Sequence, residues 1–204
     1  MDKDRIEKQF AFCREIDKEK FIERQTYLTG AKRKENDAEH AWHMAIMTLL
    51  LSEYANEKID VLKTISMLLI HDLVEIDAGD TFAYDEHAKE SQRERELAAA
   101  DRIFHLLPKD QGDKLRSLWD EFEEGITPEA EFAHTMDNIQ PTMLNAATDG
   151  QAWKERGIHL IQILQRNSNT AAGSKALWEY SYQNFIQPNV ENGHIIDDTK
   201  DKQN

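Results

Sequence analysis

The chain has one cysteine, Cys13, in 204 residues. No intramolecular disulfide can form and no thiolate metal cluster is available. Four prolines and eight glycines are too few for a turn-rich sheet protein and suit long helices. Basic residues are scarce beside acidic ones: 25 against 39, a net charge of −14. That balance argues against a general nucleic-acid surface or an anionic membrane surface. It leaves room for a small phosphorylated ligand met by a few well-placed cations. No apolar run approaches the length of a membrane span, and the charged start Met1-Asp-Lys-Asp-Arg lacks a signal-peptide core. A cytoplasmic protein is the expectation. No repeat, low-complexity linker or composition break marks a second domain, so one domain is expected over 1–188. The polar, acidic residues 189–204 read as a loose tail.

What is present is helical patterning. Apolar residues Ile6, Phe10, Cys13 and Ile16 form a rough stripe in the first segment. Residues 24–36 have no helical period and read as a loop, with the densest positive run, Lys32-Arg33-Lys34. Asp37 offers an N-cap for a helix reaching about Tyr54, with Ile46, Met47, Leu49, Leu50 and Leu51 core-like. Asp60 suits the N-cap of the next helix. Further stripes run over Ser91 to Leu107, where Pro108 stops the helix, and over Leu115 to Phe122, ended by Gly125. Thr127-Pro128-Glu129 is a helix start that carries through to about Ala147. Two more helices are expected over Ala152 to Gln165 and Ala172 to Gln187. Seven or eight helices and no strand give an all-α, single-domain helical bundle.

The chemistry concentrates between Ile65 and Asp80. An apolar run, Met67-Leu-Leu-Ile70, ends in His71, Asp72 and Glu75, followed by Asp77, Gly79 and Asp80. Buried ionisable groups are costly unless paired or bound to a metal, so this cluster asks for a cation. A His-Asp dipeptide is expected roughly 0.7 times by chance in a chain of this composition; its setting carries the weight. His40 and His43, three apart on a helix, can face one site. His40, His71, Asp72 and a distant Asp137 offer two imidazoles and two carboxylates. That donor set suits one divalent ion of the Mn, Co, Fe, Ni or Zn kind, with positions left open.

This order, a His, then an adjacent His-Asp pair, then a remote Asp, resembles the HD-domain phosphohydrolases. The nearest branch is the small HD-domain 5′-deoxynucleotidases, on Glu39-His40, on His71-Asp72-Leu-Val-Glu75 continuing to Gly79-Asp80, and on Phe132-Ala-His-Thr-Met-Asp137. The resemblance implies an all-helical homodimer hydrolysing nucleoside 5′-monophosphates with one divalent metal. It implies His40, His71, Asp72 and Asp137 as metal ligands. Glu75 would position or deprotonate the attacking water, and Asp80 would support that water or the leaving group. Arg24 and Arg33 would meet the phosphate, a guanidinium fork matching its oxygens. The branch pairs its early Arg with an aromatic residue, where this chain has Gln25. His87, His105 and His134 lie where two-metal HD enzymes carry extra histidines, but in no recognised second-metal motif, so one metal is expected. Two other readings stay open. One is an HD hydrolase of nucleoside triphosphates, alarmones or another phosphate ester. The other is a metal-stabilised interaction protein without catalysis, which would have no need of Glu75 or Asp80.

Overall fold

The structure is a computed structural model, and it describes residues 2–79 and 92–198. Helix α1 is Lys3–Glu15, capped by Asp2, and it tightens into a 3₁₀ turn over Ile16–Phe21. Strands β1 (Glu23–Tyr27) and β2 (Lys34–Asn36) pair antiparallel. The stretch expected to be a loop is therefore a short hairpin. Helix α2 is Asp37–Leu51 and α3 is Val61–Leu68. A 3₁₀ turn over His71–Val74 leads into α4, Glu75–Ala78. After residues 80–91 come α5 (Gln92–Phe104), α6 (Lys109–Glu124) and α7 (Pro128–Ala147). Short helices finish the described chain: α8 (Gln151–Arg156), α9 (Leu160–Arg166), α10 (Thr170–Gly173), α11 (Lys175–Ser181) and α12 (Gln187–Glu191). No described helix is long and apolar enough to cross a membrane. The all-α expectation holds, with the hairpin as its one addition among the described residues.

Local chemistry explains most boundaries. Asp60 Oδ1 accepts from the Lys63 N–H and starts α3; Thr127 Oγ1 accepts from the Ala130 N–H, with Pro128 in the first turn, and starts α7. Helix α2 departs from expectation. Its N-cap is Asn36, in a capping box with Glu39, and Asp37 is the first helical residue and fully buried. The two expected C-terminal helices are each broken. Gly157, in the left-handed conformation, ends α8, and a π turn over Tyr182–Ile186 separates α11 from α12.

Three apolar clusters hold the bundle. Ile70, Leu73 and Val74 pack with Ala100, Ile103, Phe104 and Trp119; Met67 and Leu68 pack with Met44, Phe122, Phe132 and Met136. Leu68 and Ile70, two residues apart, anchor different clusters, and α3 ends between them at its C-cap, Leu69. The resulting 3₁₀ turn fixes His71 and Asp72 at the seam. A third cluster joins Trp153, Ile158, Leu160, Ile163, Ile186 and Ile195. Ile195 is buried and Ile196 bridges to His159, so residues 189–198, expected to be part of a loose tail, pack on the body. Helix α2 differs in the opposite sense: Ile46, Leu49 and Leu50, expected in the core, are exposed beside Trp42.

Candidate metal centre

The site forms where α2, the 3₁₀ turn and α7 meet. One ligand atom each from His40, His71 and Asp72 lies within 4.8 Å of the others, and all three groups are buried or nearly so. Asp137, on α7, brings Oδ1 to 3.1 Å from His40 Nε2 and 3.9 Å from His71 Nε2. Two imidazoles and two carboxylates thus converge from three elements.

The second nitrogen of each histidine is committed elsewhere. His40 Nδ1–H donates to Gln140 Oε1 at 2.9 Å, and Gln140 Nε2 donates in turn to Glu35 Oε1 at 2.6 Å. His71 Nδ1–H donates to the Leu68 carbonyl at 3.0 Å, and Trp119 Nε1 donates to the His71 carbonyl at 3.1 Å. These bonds fix the tautomer that points each Nε2 at the carboxylates, the arrangement that metal-ligating histidines use. His71 Nε2 is buried and 3.1 Å from Asp72 Oδ2, yet has no hydrogen bond of acceptable geometry. A buried imidazole nitrogen aimed at carboxylates without a bond fits a cation position. The donor set of two nitrogens and two carboxylate oxygens fits a divalent transition ion.

Electrostatics agree. Burial alone would push the His71 imidazole down, but the negative charges of Asp72 and Asp137 override it and raise its pKa to about 9. His40 is raised in the same way, with burial and Arg24 opposed by Asp137 and Glu35. Burial would raise the Asp72 and Asp137 carboxyls. His71 and Arg24 hold Asp72 well below its usual range; Arg166, His40 and His71 do so for Asp137. Without a cation the carboxylates therefore favour the protonated form of both imidazoles.

Around this centre opens a cavity of about 890 Å³, within the size range of small-molecule sites. It is lined by Arg24, Gln25, Glu75, His134, Trp153 and Arg166, among others. Glu75 opens α4 three residues after Asp72. It belongs to the cavity wall and lies close to Asp37, whose buried carboxyl is raised to about 7, first by burial and then by Asp72. Arg24, on β1, donates from one Nη to Asp37 at 2.9 Å and to Asp72 Oδ2 at 2.7 Å. Asp80 and His87 lie outside the described residues.

Several expected residues are elsewhere. Arg33 is an exposed partner of Glu39, with Nη1 to carboxylate at 2.8 Å, and does not line the cavity. It is withdrawn as a phosphate contact, because it serves the acidic residue that caps α2. Lys34 donates to Gln25 Oε1 at 2.8 Å within the hairpin. His43 turns its Nδ1 to Gln140, outside the ligand cluster. His105, expected in a core stripe, is exposed and bonded to the Asp101 carbonyl. His134 donates Nε2–H to the Phe122 carbonyl at 2.8 Å and stacks on that ring. Among the described residues no second cluster of metal-ligating groups occurs.

The sequence reading missed Asp37, Glu35, Gln140 and Arg166. Gln140 had a detectable signal, since it lies three residues after Asp137 and shares its helix face. Pro141 is a second signal. Four residues after Asp137 inside a helix, it removes the donor that the Asp137 carbonyl would otherwise receive.

A model of the HD domain matches residues 16–178 of this sequence. The chain belongs to the HD-domain family. A solved structure from Magnetospirillum magnetotacticum, named a predicted metal-dependent phosphohydrolase, superposes with a TM-score of 0.89 at 44% identity, covering 94% of this chain and 95% of that one. The 5′-deoxynucleotidase HDDC2 of Homo sapiens is 26% identical over 164 residues, 71% of this chain and 79% of the human protein. The Xenopus laevis protein of that name is 30% identical over 109 residues, so the match spans about half of each chain, 53% in both cases.

Proposed function

We propose that this HD-domain protein is a metal-dependent phosphomonoesterase that hydrolyses (deoxy)nucleoside 5′-monophosphates to nucleoside and phosphate. The observation that carries the reading is the buried His40, His71, Asp72 and Asp137 cluster opening into a cavity whose wall holds Glu75. Those four residues would hold one divalent ion. When bound, such an ion supplies Lewis acidity to a phosphoryl oxygen and to water. The likeness to 5′-deoxynucleotidases supports the nucleotide as substrate class.

The chain's own groups have separate tasks. Glu75 orients the attacking water and accepts its proton, a role worth about 10² to 10⁴-fold in rate. Asp37 accepts from Arg24 and lies beside Glu75, which keeps a guanidinium near the base. Gln140 and the Leu68 carbonyl keep both imidazoles in the ligating tautomer. Asp80 remains proposed as a supporting acid, on the resemblance alone.

Phosphate release from deoxynucleoside mono- and triphosphates, with Mn, Co, Fe, Ni and Zn in turn, tests the proposal. Monophosphates should be the better substrates. Glu75→Gln should keep metal and fold while losing hydrolysis. Preferred turnover of triphosphates would replace the monophosphatase reading with its HD-hydrolase alternative. No turnover with any metal, in a chain that still binds one, would favour the non-catalytic reading.

A homodimer is part of the proposal. The outer face of α2 carries Trp42, Ile46 and Leu49 at helical spacing, 63%, 40% and 57% exposed, with Leu62 of α3 exposed nearby in sequence at 74%. The opposite side of α2 packs Met44 and Met47 into the core. A helix apolar on both faces has a second partner, and a second copy of this chain is the occupant proposed.

A further inference from the structure

We propose that Arg166, at the end of α9, is the principal phosphate-binding side chain of this site, a task that the sequence reading gave to Arg24 and Arg33. The inference rests on the phosphomonoesterase reading.

The two oxygens of Asp137 face different ways. Oδ1 meets the histidines, at 3.1 Å from His40 Nε2, and Oδ2 accepts from an Nη of Arg166 at 3.0 Å. The guanidinium therefore lies one carboxylate away from the metal position. A guanidinium carries five donor hydrogens, and the Asp137 bond is the one side-chain bond Arg166 makes among the described residues. Its side chain is 39% exposed and lines the cavity, so donors remain that Asp137 does not occupy.

Arg24 is differently placed. Its side chain is 13% exposed, and the same Nη bonds both Asp37 and Asp72. It is held between two carboxylates and balances charge within the wall. That Nη is committed to the two carboxylates, and taking it from the buried Asp37 is costly; only the other donors of Arg24 are open to a substrate. A planar fork already aligned by Asp137 is suited to two phosphate oxygens.

The test uses the full-length, metal-loaded protein as wild type, Arg166→Ala and Arg166→Lys. Calorimetric titration with inorganic phosphate, metal affinity, and KM and kcat for a deoxynucleoside monophosphate are measured together. Loss of a hydrogen-bonded charge contact corresponds to about ten- to a hundred-fold in affinity. Arg166→Ala should weaken phosphate binding and raise KM by that factor, retain metal, and change kcat less; Arg166→Lys should recover part of the loss. Unchanged phosphate affinity in Arg166→Ala would overturn the assignment, and a simultaneous fall in metal affinity would reduce Arg166 to a support for Asp137. Failure of the underlying reading looks different. If the wild type binds phosphate in an Arg166-dependent way but hydrolyses no nucleotide, the nucleotidase proposal falls and the Arg166 assignment stands.

Discussion

Remove the metal and raise the pH, and the protein should lose stability in a defined window. His71 is buried, and its pKa is raised to about 9 because Asp72 and Asp137 outweigh burial. In the unfolded chain a histidine titrates near 6.5. Between those values the native state binds more protons than the unfolded state, so stability falls as pH rises. The contribution is complete below about 6.5 and gone above about 9. Integrated over the window, it is on the order of 3 kcal/mol. For a chain of this size that corresponds to a fall of roughly 6–12 °C in Tm. Glu19, raised to about 7 by burial and by Asp72, and Asp37, raised likewise, act with the same sign at the lower end of the window. With metal bound the His71 proton is displaced, so the histidine part of this slope should vanish and metal binding should release protons. Thermal melts of chelated and metal-loaded protein from pH 6 to pH 9.5 measure the first effect; calorimetry in buffers of different ionisation enthalpy measures the second. A chelated protein whose Tm stays flat or rises from pH 6.5 to pH 9 would refute the reasoning.

Replacing Gln140 with Leu removes the acceptor that orients His40 and the donor that Glu35 receives. Metal affinity should fall about ten- to a hundred-fold while the helical circular dichroism persists, and an unchanged metal Kd would show that His40 needs no such partner. On the outer face of α2, Trp42→Glu should convert a dimer to a monomer with the metal content intact. Sedimentation that gives the same species for both proteins would move the interface elsewhere.

The helices were readable because their signals are local. Asp60, Thr127-Pro128 and Gly125 act within a turn of where they stand, and each does what its residue type implies. Where the reading failed, a distant partner decided the outcome. The apolar run through Leu68 and Ile70 reads as one helix, yet those two residues belong to different clusters and the chain rewinds as a 3₁₀ turn. Leu49 and Leu50 read as core because they are apolar, but α2 directs its other face to Met67 and Phe132, and nothing among the described residues covers them. Residues 24–36 lacked a helical period, and a two-strand hairpin of five and three residues is too short to impose a pattern of its own.

The same division runs through the site. His40, His71, Asp72 and Asp137 were legible because metal ligation restricts residue type and because a resemblance supplied their order. Their supports were not. Asp37 carries the sequence mark of an N-cap, and Asn36 beside it carries the same mark; the capping box with Glu39 decides for Asn36 and frees Asp37 to turn inward. Once buried, Asp37 needs a cation, and Arg24 supplies it from the hairpin. Arg24 is thereby fixed in the wall, and an exposed Arg33 answers Glu39 and the Lys34 carbonyl. A site that must attract a dianion then depends on a cation from outside the recognised motif. Arg166 arrives 29 residues after Asp137, on a helix placed by the third apolar cluster, and no spacing rule along the chain connects the two.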